Sequence, residues 1–380
     1  MSMNRRELFR FAGAGVGTLM LGSHAVQAAS IAPKFVPPTP KSPLLLCFNE
    51  NSLGMSASAK AAAQKALDQA ARYPFVRAEA LRKACATFMG GKPENIMLTH
   101  GSAESIRAAI ESHIRPDTQL VIPELTYSDG EDTARKNNVK VVKVPMGPKW
   151  SIDLEGMKKA VASHKGSSIV YFVNPNNPTS TIVNSQALLD WIKSKPANTF
   201  FVIDEAYAEY VVDKSFVSTK TLVDAGYDNL CVLKTFSKIF AMAGMRIGFT
   251  YAVPAVVNQC RTQVAYDIML NISGIEAAIA ELNDKEFIAA SRKENDDARK
   301  VLCDTLDALK LEYLPSQTNF VFVNIKSDLK TFAERMKSKN VLVGRPFPPA
   351  LQWCRISLGT VDEMKYFVGV LKEFRKAGWV

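Results

Sequence analysis

The stretch IVYFVNPNNPT, residues 169–179, joins an apolar, β-branched run to a turn rich in asparagine and proline. A run of this kind predicts a buried strand that ends where the turn begins. The pattern occurs twice more, because the apolar runs at 200–203 and 230–233 also end in polar residues. These three segments predict neighbouring strands of one buried sheet.

Helix-like segments separate the predicted strands. Residues 185–195 place Ala187, Leu188, Trp191 and Ile192 on one helical face. Alternation of strands and helices predicts an α/β fold, with a mostly parallel central sheet flanked by helices. Open sheets of this class bind ligands at the carboxyl ends of their strands. Polar residues that follow the three strands are therefore site candidates, namely Asn177, Asp204, Tyr207 and Lys238.

The segment Thr235-Phe236-Ser237-Lys238, followed by Arg246, places a lysine among hydroxyls and an arginine. A lysine amine forms a Schiff base with an aldehyde, and hydroxyls with a guanidinium suit a phosphate. The aldehyde cofactor that carries a phosphate is pyridoxal 5'-phosphate (PLP). A single lysine is more often a solvated surface charge, so this interpretation depends on the other residues.

A glycine turn upstream supplies a second phosphate-binding candidate. A short predicted strand over 95–99 runs into His100-Gly101-Ser102-Ala103, which opens an apolar-periodic helix. Free backbone N–H groups and the positive end of the helix dipole attract anions, and Ser102 adds a hydroxyl donor. The ordinary alternative is a serine-capped helix that binds no ligand.

Together these motifs resemble the aspartate aminotransferase superfamily, which is fold type I of the PLP enzymes and includes the class I/II aminotransferases. The resemblance is strongest to the histidinol-phosphate aminotransferase-like branch. It implies an aspartate-aminotransferase-like fold with a smaller α+β C-terminal domain. The motifs that carry it are residues 49–54, 72–74, 126–127, 174–179, 204–207, 235–246 and 354–360, with the turn at Gly101.

The resemblance implies a role for each residue around the cofactor ring. Lys238 would form the Schiff base and then move the proton between the substrate and the cofactor. Asp204 would keep the pyridine nitrogen protonated, so that the ring accepts electrons. Tyr207 and Asn177 would hydrogen-bond the 3' oxygen of the ring, and Tyr127 would stack on its face.

The remaining implied contacts hold the phosphate and the substrate. Around the phosphate the resemblance places Thr235, Ser237 and Arg246, with the amides of Ser102 and Ala103. For the substrate it implies Arg355, which would pair with the α-carboxylate, together with Arg345 and Asn51. Tyr73 would reach the cofactor phosphate of a neighbouring subunit, which implies a homodimer with shared sites.

The expected activity is an aminotransferase that moves an amino group between an amino acid and a 2-oxo acid. A lyase, decarboxylase or racemase could use the same Schiff base, and a PLP-binding sensor is a further alternative. The chain departs from the family at Ser180, where a glycine is usual. We expect a substrate with an apolar or aromatic side chain.

The first residues read as a leader. Arg5 and Arg6 precede a mildly apolar run at 11–21 and the small-residue segment 25–30, which resembles a twin-arginine export signal cleaved near Ala28. That export machinery transports folded proteins, so PLP would be bound before export and the enzyme would act in the periplasm. If the leader is not functional, the enzyme is expected in the cytoplasm.

Length and composition complete the expectations. After a leader at 1–29 we expect a proline-rich arm at 30–55, a large PLP-binding domain at 56–270 and a small C-terminal domain at 271–380. The net charge of +10 is spread along the chain, which argues against nucleic-acid binding. The six cysteines form no CxxC pair, and no metal site is expected.

Overall fold

The computed structural model describes residues 32–380, which form an α/β protein. Its strands are β1 Leu44–Leu46, β2 Ile96–Thr99, β3 Gln119–Pro123, β4 Lys140–Val144, β5 Ser168–Val173, β6 Thr199–Asp204, β7 Leu230–Thr235, β8 Gly248–Tyr251, β9 Phe320–Asn324, β10 Val341–Val343 and β11 Trp353–Ser357. Its helices are α1 Ala57–Ala66, α2 Phe75–Met89, α3 Ser102–Glu111, α4 Asp129–Lys136, α5 Leu154–Ala162, α6 Ser185–Lys193, α7 Lys220–Asp224, α8 Pro254–Arg261, α9 Ile272–Asn283, α10 Lys285–Ala308, α11 Leu329–Ser338 and α12 Val361–Lys376. The predicted leader lies outside the described residues.

A seven-stranded sheet carries the fold, with the strand order β2-β8-β7-β6-β5-β3-β4. Strands β3 to β7 pair in parallel, whereas β8 is antiparallel to both of its neighbours. Every residue of β5, β6 and β7 is buried, as expected for strands covered by helices on both faces. The three apolar runs in the sequence are these strands, and the predicted mostly parallel sheet is confirmed.

Alternate residues of the central strands enter two separate cores. In β5, Val170 and Phe172 face one core, while Ile169, Tyr171 and Val173 face the other. This period of two follows from strand geometry, in which successive side chains point to opposite faces. Helices therefore cover both faces of the sheet.

A further core lies in the C-terminal part of the chain. It joins α10, α11 and α12 to the antiparallel pair β9 and β11, with Leu302, Phe332 and Phe367 fully buried. Strand β1 of the arm pairs in parallel with β10, and its Leu46 enters the same core. The arm therefore belongs structurally to the C-terminal layers, although it precedes the large sheet in the chain.

Two consecutive helices, α9 and α10, follow the large sheet in the chain. Asp284 ends α9 and caps α10, because its side chain accepts a hydrogen bond from the Phe287 amide at 2.9 Å. Helix α9 contributes Ile275 to the first sheet core, whereas α10 contributes Leu302 to the C-terminal core. The predicted domain boundary near residue 270 stays a prediction.

Candidate active site

A cavity of about 300 Å³ opens at the carboxyl ends of β5, β6 and β7. The position is the one expected for a ligand site in an open α/β sheet. It brings together the predicted site residues with the exception of Tyr73 and Asn51. Those lining it are Ser102, Ala103, Tyr127, Asn177, Asp204, Tyr207, Thr235, Ser237, Lys238, Arg246, Arg345 and Arg355.

Lys238 follows β7 and extends its amine into the cavity. Its Nζ donates to the carbonyl of Asn49 at 3.1 Å and to that of Phe48 at 3.3 Å. Burial, together with the nearby Arg355 charge, lowers the pKa of Lys238 to about 8. A lysine with this pKa is substantially neutral in mildly alkaline solution, which suits a nucleophile or a base.

Asp204 is the last residue of β6 and is buried at the floor of the cavity. Its Oδ1 accepts a hydrogen bond from the Ala206 amide at 3.0 Å, and the Tyr171 hydroxyl donates to Oδ2 at 3.5 Å. Burial is the main reason that the pKa of Asp204 rises to about 6. A cation placed beside this carboxyl group would reverse the shift, as a protonated pyridine nitrogen does.

Tyr207 lies beside Asp204 with its hydroxyl in the cavity. The Nδ2 of Asn49 donates to this hydroxyl at 3.1 Å, and the side chain of Asn177, which also lines the cavity, faces it. Burial raises the pKa of Tyr207 to about 12, so the phenol keeps its proton at physiological pH. The edge of Phe320 packs against the ring, with the centroids 5.1 Å apart, and fixes its plane.

The N-terminus of α3 forms one side of the cavity. No side chain caps its first turn, and Gly101 before it adopts a left-handed conformation with φ of 80°. A Cβ added at Gly101 would lie 2.4 Å from Nη2 of Arg246, so only glycine lets the guanidinium lie against this turn. The unused amides and the adjacent positive charge make an anion site.

Two hydroxyls complete this anion site. Thr235 donates to the Ser237 hydroxyl at 3.0 Å, and the Ser237 amide donates back to Thr235 at 3.1 Å. Nη1 of Arg246 approaches Ser237 at 3.5 Å. A dianionic phosphate would accept hydrogen bonds from every one of these donors, so the chemistry of the residues fits the phosphate of PLP.

Arg355 enters the cavity from β11 on the opposite side. Its Nη1 donates to Oδ1 of Asn177 at 2.8 Å, and its Nη2 donates to the Cys47 carbonyl at 2.6 Å. The Nε is buried and has no hydrogen-bond partner among the described residues. A buried donor left unpaired is costly, and a carboxylate in the cavity would satisfy it.

The outer part of the cavity is lined by aromatic side chains and a second arginine. Arg345 is exposed, lies 4.6 Å from the centre of the Phe347 ring and donates Nη1 to the Pro346 carbonyl at 3.1 Å. Tyr127 is half-buried, and burial raises the pKa of its hydroxyl well above the usual range. Phe48 completes this part of the lining.

Comparison with known proteins decides the family. The sequence profile described as "Aminotransferase class I and II" matches residues 41–371. The chain belongs to the class I and II aminotransferases. Residues 1–31, including the predicted leader, precede the matched region.

Curated relatives of this aminotransferase are named histidinol-phosphate aminotransferases. The protein from Moorella thermoacetica is 32% identical over 335 residues, which cover 88% of this chain and 86% of that one. The protein from Brevibacillus brevis is 34% identical and covers 86% of this chain and 89% of its own.

Solved structures agree with the fold. A protein from Erwinia carotovora atroseptica, assigned as a histidinol-phosphate aminotransferase, superposes with a TM-score of 0.90 at 48% identity, covering 91% of this chain and all (100%) of that one. The histidinol-phosphate aminotransferase of Sinorhizobium meliloti, solved in complex with PLP, gives 0.82 at 23% identity, covering 93% and 99%. The predicted fold, PLP cofactor and transaminase activity are confirmed, with amino acid and 2-oxo acid substrates.

Two predicted site residues of the aminotransferase lie outside the cavity. Tyr73 is 75% exposed and lines a separate surface groove. The Nδ2 of Asn51 donates to the Ile239 carbonyl at 3.0 Å and to Ser291, and its Oδ1 accepts from the Leu53 amide at 3.1 Å. The side chain of Asn51 is thus engaged in holding the arm, and this geometry does not support its predicted contact with substrate.

Asn49 opens the motif at 49–54 but was not predicted as a site residue, although it is buried and lines the cavity of the aminotransferase. It adopts a left-handed conformation with φ of 55°, which asparagine tolerates better than most residues. Its partners Tyr207, Lys238 and Ser357 are distant in the chain, so the motif alone could not reveal these contacts. Phe48 and Phe347 were missed for the same reason.

Ser180, which replaces the usual glycine, has a left-handed backbone with φ of 63° and is fully buried. Its amide donates to the Asn176 carbonyl at 2.8 Å, and its hydroxyl donates to the Thr179 carbonyl at 2.5 Å. The loop keeps its turn despite the substitution, and Asn177 still lies in the cavity.

Proposed function

We propose that Lys238, Asp204 and the anion site at α3 are the three attachment points of PLP in this aminotransferase. The observation that carries the proposal is their convergence on one cavity. It contains an amine with a lowered pKa, a buried carboxyl group and the N-terminus of α3, which no side chain caps. When bound, PLP supplies a carbonyl that bonds covalently to an amine and a ring that accepts the electron pair released at the substrate α-carbon.

The residues then act as follows. Asp204 holds a proton on the ring nitrogen, which in turn keeps the carboxyl group ionised. Tyr207 and Asn177 position the edge of the ring, and Tyr127 packs on its face. Once its amine is free, Nζ of Lys238 takes the proton from the substrate α-carbon, since its lowered pKa leaves a neutral fraction at working pH.

Arg355 binds the α-carboxylate of the substrate. Its two Nη groups are already oriented by Asn177 and Cys47, so the fork is held before substrate arrives. The unpaired Nε then gains an acceptor, which favours binding of a carboxylate over a neutral amide. Phenylalaninamide, which lacks the carboxylate, should react at least about 100-fold more slowly than phenylalanine.

The amino acid substrate carries an apolar or aromatic side chain. Support comes from three aromatic side chains, Phe48, Tyr127 and Phe347, which line the same cavity as Arg355. The test is to mix PLP-loaded enzyme with single amino acids and follow the cofactor absorbance. Phenylalanine or leucine should react at least tenfold faster than aspartate, and a preference for aspartate would contradict the proposal.

L-histidinol phosphate is the second candidate, because the curated relatives bear its name. The exposed guanidinium of Arg345 could meet its phosphate. If so, Arg345→Ala should lower kcat/KM for histidinol phosphate by about 100-fold and leave phenylalanine nearly unchanged. If Arg345→Ala affects neither compound, the phosphate assignment fails.

We further propose that residues 1–29 are a twin-arginine signal, cleaved near Ala28, and that the enzyme acts in the periplasm. The paired arginines, the apolar run and the small residues support this. Fractionation of a full-length protein with a C-terminal tag is the test. The wild type should be periplasmic and shortened, and Arg5→Lys combined with Arg6→Lys should remain cytoplasmic. An unprocessed cytoplasmic wild type would contradict the proposal.

The active form is proposed to be a homodimer in which Tyr73 reaches the phosphate site of a neighbouring copy. Support comes from an apolar surface beside the groove, where Tyr73 is 75% exposed, Val76 81% and Leu67 63%. Sedimentation velocity should show a dimer that Val76→Asp dissociates. The control is Val36→Asp, on an arm residue that is also 75% exposed. A monomeric wild type with full activity would exclude the proposal.

A further inference from the structure

Asn49 connects residues from three distant parts of the chain. Its carbonyl accepts from Lys238 Nζ at 3.1 Å, its Nδ2 donates to Tyr207 at 3.1 Å, and its Oδ1 accepts from the Ser357 hydroxyl at 2.9 Å. The Asn49 amide donates to the same Ser357 hydroxyl at 2.8 Å. The residue is 1% exposed, so these contacts are shielded from water.

The contacts fix the orientation of the Asn49 carboxamide. The Ser357 hydroxyl has one proton, and because it accepts from the Asn49 amide it is free to donate that proton to Oδ1. The Nδ2 therefore points at Tyr207 as a donor. The side chain of Asn177 also faces this phenol, and its Oδ1 is engaged by Arg355. Because the Asn49 N–H occupies the phenolic oxygen, the proton of Tyr207 is free for an acceptor in the cavity.

The backbone of the same segment receives the lysine. A neutral primary amine has two protons, and the carbonyls of Phe48 and Asn49 accept one each. The amine lone pair is then left without a protein partner and is free to accept a proton. Asn319 steadies the acceptor, because its Nδ2 donates to the Asn49 carbonyl at 2.9 Å.

We propose that Asn49 is a positioning residue of the active site, whose carboxamide directs the Tyr207 proton into the cavity and whose carbonyl holds the freed amine of Lys238. The inference rests on the roles proposed above for Tyr207 and Lys238. It adds that Asn49, a residue of the arm, decides which groups around the cofactor donate hydrogen bonds and which accept them. Ser357 acts one step further away, by holding the carboxamide in place.

The test is a pH titration of the absorbance of the bound cofactor in PLP-loaded enzyme. Asn49→Gly removes the carboxamide and permits the left-handed backbone. We expect its midpoint to rise by about one pH unit, a roughly tenfold change in the proton equilibrium, because the cofactor loses a directed hydrogen bond to its ionised form. Ser357→Ala should raise the midpoint by about half as much. The charged groups that face Tyr207 and Lys238 are unchanged in both variants, namely Glu50, Asp204, Arg246 and Arg355.

Asn138→Gly is the matched control, since Asn138 has a similar φ of 56° and lies outside the cavity lining. Its midpoint should equal that of the wild type. Tyr207→Phe tests the role of Tyr207 separately from that of Asn49. If Tyr207→Phe leaves the midpoint unchanged, the proposed role of Tyr207 fails. If Tyr207→Phe raises it and Asn49→Gly does not, the inference about Asn49 alone is overturned. Should Asn49→Gly bind no PLP, an unchanged midpoint in Ser357→Ala overturns it instead.

Discussion

The two walls of the cavity are built in different ways. The sheet wall consists of Asp204, Thr235, Ser237 and Lys238, which lie at or just after the ends of β6 and β7. The arm wall consists of Phe48, Asn49 and Arg355. Hydrogen bonds from the Asn49 amide to Ser357 and from Arg355 to the Cys47 carbonyl join residues 308 positions apart. Strand ends fix the first wall locally, whereas the second exists only when the arm and the C-terminal layers pack together.

The two walls are proposed to serve different purposes, because the sheet wall holds the reacting groups and the arm wall binds the substrate. The sheet wall holds the amine and the carboxyl group that we propose act on the cofactor, and burial shifts the pKa of both. The arm wall holds the guanidinium proposed to bind the substrate and the asparagine proposed to orient the phenol. Changes in the sheet wall should therefore reduce turnover, and changes in the arm wall should alter affinity and the response to pH.

The largest expected effect is that of Lys238→Ala, which removes the covalent residue and the base from the sheet wall. Turnover should fall by at least about 10³-fold, with PLP still held by the anion site. The measurement is steady-state kinetics with parallel equilibrium dialysis of PLP. The control is Lys234→Met in β7, the strand that precedes Lys238, where Lys234 is buried in an ion pair with Glu209.

Lys234→Met should destabilise the protein, because it leaves the Glu209 charge unpaired, while the folded fraction keeps its turnover. Loss of turnover in Lys234→Met but not in Lys238→Ala would contradict the role proposed for Lys238 in the sheet wall.

The next effect belongs to the arm wall. Arg355→Lys keeps the charge but loses the fork that contacts Asn177 and Cys47. KM for the amino acid should rise by about 100-fold, with a smaller change in kcat. Arg345→Lys should change KM for an apolar amino acid less than about threefold, since Arg345 lies exposed outside the carboxylate fork. Equal effects of the two variants would contradict the assignment.

Asp204 should destabilise the folded protein near neutral pH when no cofactor is bound, because its ionised carboxylate is buried. Its folded pKa of about 6 exceeds the ordinary value of 3.8, so the folded state of the cofactor-free protein binds more protons than the unfolded state between these values. The contribution to the free energy of unfolding is therefore lost as pH rises from about 4 to about 6. Relative to Asp204→Asn, the cofactor-free wild type should lose about 2–3 kcal/mol over this range.

Urea unfolding of both cofactor-free proteins at pH 4 and pH 7 measures this difference. With PLP bound, the wild type should regain the loss and the variant should not. A pH-independent difference between the two would show that Asp204 is not shifted by burial.

The smallest effect concerns the loop of Asn177, which touches both walls. Ser180→Gly relieves a left-handed serine but loses the hydroxyl bond to Thr179, so the free energy of unfolding should rise by only about 0.5 kcal/mol. Activity should stay within about twofold. A loss of more than about 1 kcal/mol would mean that the serine hydroxyl matters more than the backbone strain.

The sequence predicted the residues of the sheet wall better than those of the arm wall. Asp204 and Lys238 were predictable because apolar runs mark where strands end, and ligands bind at those ends. Asn49 was not, because its role comes from packing against residues far away in the chain. Asn51 was predicted from the resemblance to contact the substrate, whereas the structure turns its side chain to Ile239 and Ser291.

The long helices α9 and α10 show a related limit of sequence patterns. Both have a buried apolar face, but they bury it in different cores. Periodicity reports that a face is buried, and it does not report against which layer.

The most direct test of the central claim is to reduce the PLP-loaded protein with borohydride and map the modified lysine by mass spectrometry. The account predicts the cofactor mass on the peptide that contains Lys238, with Lys234 unmodified. Modification of Lys234 or another lysine, or no covalent modification at all, would contradict it.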